Sequence, residues 1–321
     1  MENSNETSFN RFFLLSLADT PYLKAFSVLI FLIMYLLTLS VNSLLIIVVR
    51  INLRLHTPMY FFLSNLSIID IGISTSIVPK LIIITITQDT SISRLDCASQ
   101  MFFHSALGAT ECIILAVMAY DRYVAICKPL HYNTITNKRF CISMAAACWA
   151  LGCINSSFHV PYIFHMSFCR SHHVNHFFCE LPVFFPLSCQ DTWLQEVSMY
   201  ISACIIGLIA FILILFSYAY IISTILSIRS TKGRHKAFST CASHLTVVSL
   251  YYGPLMFMYL RPHSRNSPST ERTVSIIYTV VTPMLNPLIY SVRNKDIKVT
   301  LRGRTLGKGD KGSFLNLDLL P

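Results

Sequence analysis

Seven long apolar runs constrain this chain more than anything else in its sequence. They cover roughly residues 24–49, 58–86, 98–121, 140–164, 196–227, 237–260 and 273–292. Ala25 to Val49 contains no acid, lysine, arginine or histidine, and neither does Val197 to Ile228. A helix needs about 20 apolar residues to cross the hydrocarbon of a bilayer. Only 12% of the residues are charged, against about 25% in a soluble domain, too few to cover a wetted surface. A transmembrane barrel needs short alternating strands, and these runs are too long and continuous for that. The expected fold is an all-α membrane protein, a seven-transmembrane helix bundle. An outer segment 1–23 precedes the helical domain 24–292, and an inner tail 293–321 follows it.

An odd number of spans puts the two termini on opposite sides. Positive residues concentrate on cytoplasmic segments. With the N-terminus extracellular, 17 of the 25 lysines and arginines fall inside, among them Arg50, Arg54, Arg122, Lys128 and the run Arg229 to Lys236. The C-terminus is therefore expected in the cytoplasm. The net charge of +10 thus meets anionic lipid and an inner partner rather than nucleic acid. No basic region followed by a short apolar core opens the chain, so the first span is expected to act as an uncleaved anchor. Asn5-Glu6-Thr7 is a glycosylation sequon on the outer side, whereas the matches at Asn65 and Asn155 lie inside spans.

Of 11 cysteines, four fall on the outer side: Cys97, Cys169, Cys179 and Cys189. An even set in an oxidising compartment reads as disulfides, and spacing alone allows three pairings. A zinc site from Cys169, His172, His173, His176 and Cys179 is the alternative, disfavoured because thiols are oxidised outside the cell.

Ionisable groups within a membrane are costly and usually functional. Asp70 in the second span and Glu111 in the third both qualify, with Asn42 and Asn286 at similar depth. They read either as a satisfied hydrogen-bond network or as a site for a sodium ion or a proton. Pro283 and Pro287 interrupt the seventh span and free backbone carbonyls. Asn286 is the expected donor to one of them. At the inner end of the third span, Asp121 beside Arg122 invites a charge pair that can open and close.

These motifs resemble the rhodopsin-like G-protein-coupled receptors: Asp121-Arg122-Tyr123, Asn286-Pro287-Leu288-Ile289-Tyr290, and Cys97 at the head of span three. More narrowly, the chain resembles the olfactory receptor family over about residues 5 to 300. The resemblance is carried by Pro58 to Ser67, Met118 to Tyr132, Ser217-Tyr218, Lys236 to Leu245 and Pro283 to Asn294. His56-Thr57-Pro58 is similar to the tetrapod-type class. The chain departs in Val41, where the family usually has glycine before the asparagine, and in the aromatic stretch Leu181 to Pro186.

The resemblance implies a Cys97–Cys179 disulfide and a second, Cys169–Cys189, within a loop that lids the pocket. It implies Asp70 and Glu111 as sodium ligands and otherwise no cofactor. Its ligand positions map here to His104, Ser105, Gly108, Ala109 and Cys112; Ser202, Ile206 and Gly207; Tyr252, Leu255, Met256 and Tyr259; and Thr279. Residues 104, 105, 108 and 112 share one helical face. The set is small and apolar with a few hydroxyls, and it suits a small volatile ligand carrying one polar group. No acid stands at the pocket end of span three, which argues against an amine.

The implied switch consists of Asp121, Arg122, Tyr123, Tyr218, Asn286, Pro287 and Tyr290. The implied partner is a stimulatory olfactory-type heterotrimeric G protein, acting through cAMP at a multi-pass protein of the plasma membrane and sensory cilia. A same-fold receptor for a metabolite in another tissue fits the same residues. A transporter needs a continuous polar file or inverted repeats, and neither occurs. An enzyme needs a nucleophile or metal cluster beside the buried acids, and none is present.

Overall fold

The computed structural model describes residues 11–18, 20–168, 172–260 and 268–293. Asn5, Cys169 and the tail beyond 293 lie outside these residues, so the expectations placed on them do too. Six long helices follow in order: α1 (Pro21–Ile51), α2 (Pro58–Thr87), α3 (Arg94–Cys127), α4 (Lys138–His165), α5 (Trp193–Ser227) and α6 (Thr231–Leu260). The seventh, α7, is built in three parts: Pro268–Ile276, a wider turn Ile277–Val281, and Thr282–Arg293. The seven-helix bundle expected from the apolar runs is therefore present. α1 to α5 and Thr270–Tyr290 in α7 are long and apolar enough to cross a membrane.

Local sequence sets the helix starts. Pro21 and Pro58 each open a helix at a position whose N–H needs no partner. Ser93 caps α3 by accepting from Asp96 N at 3.0 Å, and Asn137 caps α4 by accepting from Phe140 N at 2.9 Å. Along α5, Ile205, Leu208, Ile209, Leu213 and Phe216 are all more than half exposed. In water that stripe would be a liability; in hydrocarbon it is the expected lipid face.

α3 is the axis of the bundle and packs against α2, α4 and α5. Its residues Ile114, Leu115 and Ala119 are fully buried beside Phe62, Ile69 and Val247. The α3–α4 contact is close because Gly152 has no side chain. A Cβ built there would stand 2.2 Å from Thr110 Oγ1 and 2.5 Å from Ala106 O. Trp149 Nε1 donates to Asn65 Oδ1 at 3.0 Å and fixes α4 to α2.

The end of the bundle beside the start of α1 carries a cap that the apolar runs do not announce. Strand β1 (Arg11–Phe13) pairs antiparallel with β2 (Ser91–Ser93), Arg11 opposite Ser93. The other edge of β1 bonds the loop after α4: Phe13 N donates to His172 O and Val174 N to Phe13 O. Phe12 inserts its ring between Phe168 and Phe184, edge-on at 5.3 and 5.1 Å. Cys97, in the first turn of α3, bonds Cys179 with 5.5 Å between their Cα atoms. Cys189 is also disulfide-bonded. Gln100 adds a second tether, accepting from Cys179 N at 2.8 Å and donating to Ser76 O at 2.9 Å.

Gly152→Ala is expected to destabilise the bundle by about 1–3 kcal/mol, the usual range for forcing a methyl into a packed contact. Thermal unfolding of the detergent-solubilised protein reads this out. Gly233→Ala is the matched control, since its new Cβ meets nothing nearer than 3.5 Å.

Candidate functional site

A cavity of about 250 Å³ opens under the cap, among α3, α5, α6 and the loop after α4. Ten of the expected ligand residues line it: His104, Ser105, Gly108, Ala109, Cys112, Ser202, Ile206, Gly207, Tyr252 and Leu255. The helical repeat of α3 turns the first five to one side. Two glycines enlarge the space, because a Cβ at Gly108 or Gly207 would meet no atom within 4 Å. Met256 is half-buried and off the wall, and Thr279 is fully buried away from it. α7 instead contributes Tyr278, one position earlier. The wide turn Ile277–Val281 there, with Thr282 N–H bonding Ile277 O, turns the helix face. The side chain of Tyr259 lies outside the described residues.

The floor is polar but self-satisfied. Cys112 Sγ and Tyr252 OH are 3.0 Å apart, joining α3 to α6. Tyr251 OH donates to Gly108 O at 2.7 Å. On the α4 side, His159 Nε2 and Ser202 Oγ are 2.9 Å apart.

The roof is the loop that the resemblance implied as a lid, which the helical pattern alone does not announce. His176, Glu180, Leu181, Pro182 and Val183 all line the cavity, and Glu271 joins them from α7. Tyr278 OH donates to Glu180 Oε1 at 2.8 Å, and His176 Nε2 lies 3.8 Å from Glu180 Oε2. The ring of His104 sits 5.3 Å from that of Phe178 and 5.9 Å from that of Tyr278. Burial pushes the Glu180 carboxyl up to about 7, with the nearby Glu271 adding to the rise. Burial likewise drives His176 down to about 4.

Below the cavity, the mid-membrane polar residues meet. Asn286 Nδ2 donates to Asp70 Oδ1 at 3.0 Å and to Glu111 Oε1 at 3.4 Å. Both of its amide hydrogens are thereby spent on carboxyls, so the expectation that Asn286 bonds a freed carbonyl is corrected. Pro287 has no N–H for Pro283 O, and Asn42 Nδ2 donates to that carbonyl instead, at 3.2 Å. Asp70 Oδ2, Ser74 Oγ and Asn286 Oδ1 are buried oxygens without a hydrogen-bond partner among the described residues.

At the end of the bundle away from the cap, Arg122 pairs with Asp121 at 2.9 Å. Tyr132, in the one-turn helix Tyr132–Ile135, donates to Asp121 Oδ1 at 2.9 Å. Tyr123 stacks loosely on Tyr120 and lies under Lys128 Nζ at 5.7 Å. Tyr218 OH meets His244 Nδ1 at 2.8 Å, and His244 Nε2 reaches Leu115 O at 3.1 Å. The Tyr290 hydroxyl is buried without a partner among the described residues. His244 was not singled out from sequence. A histidine eight residues into the run Lys236 to Leu245, surrounded by apolar spans, was the available signal.

The described residues contain no group of three or more His, Cys, Asp or Glu side chains able to hold a metal. A profile of the olfactory receptor family matches residues 31–307. Human olfactory receptor 10A5 is 47% identical over 309 residues, covering 96% of this chain and 97% of that protein. Human olfactory receptor 2G6 is 44% identical over 307 residues, with the same coverage of each. Mouse olfactory receptor 5AR1 is 42% identical over 308 residues, 96% of this chain and 99% of that protein.

The two roof residues make opposite pH demands. Glu180 has its folded value raised from 4.5, so its contribution is full below about 4.5 and lost as pH rises through about 7. The folded value of His176 is depressed from 6.5, so its contribution is full above about 6.5 and lost as pH falls through about 4. Between those limits they oppose each other. Glu180→Gln removes one side of the balance. Relative to wild type, that variant's melting temperature should fall as detergent-solubilised protein is taken from pH 6.5 to 4; a constant difference would refute the opposition.

Proposed function

Because this chain belongs to the olfactory receptor family, we propose that it is an odorant receptor whose ligand occupies the cavity among α3, α5, α6 and the outer cap. It is a multi-pass membrane protein and not an enzyme. The observation that carries the reading is the cavity itself: a small space with apolar walls under a disulfide-held roof, bounded below by the Cys112–Tyr252 contact. Its size and lining suit a small, mostly apolar molecule.

The N-terminus is extracellular in this reading and the C-terminus cytoplasmic, which the excess of basic residues on the inner segments supports. The protein works at the plasma membrane of sensory cilia. Its partner is a stimulatory olfactory-type heterotrimeric G protein, and its output is cAMP.

The described arrangement is the resting one, with Arg122 held by Asp121 and Tyr218 held by His244. Ligand contact with Tyr252 favours a second arrangement in which the inner end of α6 moves outward. His244 and Tyr252 stand two turns apart on α6, so one movement of that helix disturbs both contacts. Arg122 then leaves Asp121, Tyr218 and Tyr290 are free to meet it, and the basic segment Arg229 to Lys236 faces the G protein. Asp70 and Glu111, with the unpartnered oxygens Asp70 Oδ2 and Ser74 Oγ, are a donor set of the kind sodium takes. A sodium ion there would hold α2, α3 and α7 together in the resting arrangement.

Cells carrying the receptor and a cAMP reporter, exposed to a chemically broad odorant panel, test the whole reading. At least one compound should raise cAMP in a dose-dependent way. With that agonist, Arg122→Ala should abolish the response while surface expression persists; normal signalling would remove Arg122 from the switch. Tyr252→Ala should shift the dose-response curve by roughly tenfold or more, the scale of losing one buried polar contact and its packing. An unchanged curve would take Tyr252 out of the pocket.

A further inference from the structure

The cap brings to the roof of the cavity a carboxyl of its own, far along α3 from Glu111. Glu180 follows Cys179 directly, so the Cys97–Cys179 disulfide fixes its backbone against α3. Its carboxyl lines the cavity and keeps 16% side-chain exposure. A carboxylate can accept about four hydrogen bonds. Tyr278 supplies one, to Oε1. His176 stands 3.8 Å from Oε2, too far for a hydrogen bond. That ring already meets Ser275 Oγ through Nε2 at 3.2 Å and Phe178 N through Nδ1 at 3.4 Å. Nor does His176 bring a counter-charge, since burial keeps it neutral at pH 7.

The rest of the lining points the same way. Glu111, Glu180 and Glu271 line the cavity, and among the described residues no lysine or arginine does. Arg272, the nearest described arginine on α7, is directed to Asn175 Oδ1 and the ring of Phe177. The walls between Glu180 and the floor are mostly apolar or bare, with His104, Ser105 and Ser202 as polar exceptions and open space beside Gly108 and Gly207.

We propose that Glu180 is the specificity-determining residue of the cavity, and that it selects ligands bearing a protonated amine on an apolar body. The ammonium meets the Glu180 carboxylate under the cap, and the body runs along Gly108, Ile206 and Gly207 toward Tyr252. The assignment rests on reading this cavity as the odorant site. Asp96, in the first turn of α3, does not reach the cavity, which pointed away from amines, but the loop supplies an acid that does. The raised carboxyl of Glu180 fits the role, because a cation beside it offsets the cost of charging it where water is scarce.

Straight-chain primary amines, and the alcohols, aldehydes and N-acetylated amines of the same chain lengths, are the probes. They are applied to receptor-expressing cells with a cAMP reporter, and surface receptor is measured in parallel. Wild type should respond to amines and not to their N-acetyl forms, which have the same body and no charge. Glu180→Gln should raise the amine EC50 by roughly tenfold or more, as expected when a desolvated charge pair loses one partner. Glu180→Asp should restore part of the amine response. An unchanged amine EC50 in Glu180→Gln overturns the assignment, as do N-acetylated amines that match the free amines. The two wild-type comparisons decide the matter even if the variant fails to reach the surface. If amines are silent while other members of the broad panel raise cAMP, the amine assignment falls and the odorant-receptor reading stands. Silence to the entire panel brings down both.

Discussion

Hydrocarbon offers no hydrogen bonds, so each backbone group released inside a span must find a partner within the protein. Pro287 releases the carbonyl of Pro283, and Asn42 on α1 is the group that answers it. Asn286, one residue before that proline, bonds Asp70 on α2 and Glu111 on α3. A single break in α7 thus draws four helices to one depth. Apolar packing between helices is weak at choosing partners in lipid, because lipid tails are as apolar as leucine. Polar bonds at defined heights set the register, and the packing around Phe62, Ile69 and Ile114 then closes on it.

The same logic separates the two ends of the bundle. The end that carries Arg122 holds polar contacts close together: Arg122 with Asp121, Tyr218 with His244, and a Tyr290 hydroxyl with no partner among the described residues. An unpaired buried hydroxyl is costly, which lowers the energy needed to reach an arrangement that satisfies it. The capped end is built the other way. Its disulfide, its Gln100 tether and its β1 pairings fix the roof of the cavity, so that surface is preformed.

The helical bundle was legible because 3.6-residue geometry and bilayer thickness leave long apolar runs few other fates. The α3 wall was legible for the same reason, since 104, 105, 108 and 112 must share a face on any helix. What escaped reading lay where neither rule applies. The cap is a loop, and nothing in the spacing of His176, Glu180 or Phe12 says which way a loop side chain points. α7 escaped at Thr279, because the five-residue wide turn rotates the face and gives the wall to Tyr278. Asn286 was placed correctly at depth, but its partner was not foreseeable from α7 alone, since the choice depended on two acids from other helices.

The strand β1 has a consequence for how the protein is made. Arg11 to Phe13 precede every helix in the chain, but one edge of that strand is completed only by His172 to Val174. At about 5–20 residues per second, a strand of this kind waits roughly ten to thirty seconds for its partner. Phe12 has no ring cage until Phe168 and Phe184 arrive. The strand made before every helix is therefore seated only after α4 has been made, and closure of the cap requires the chain through Phe184.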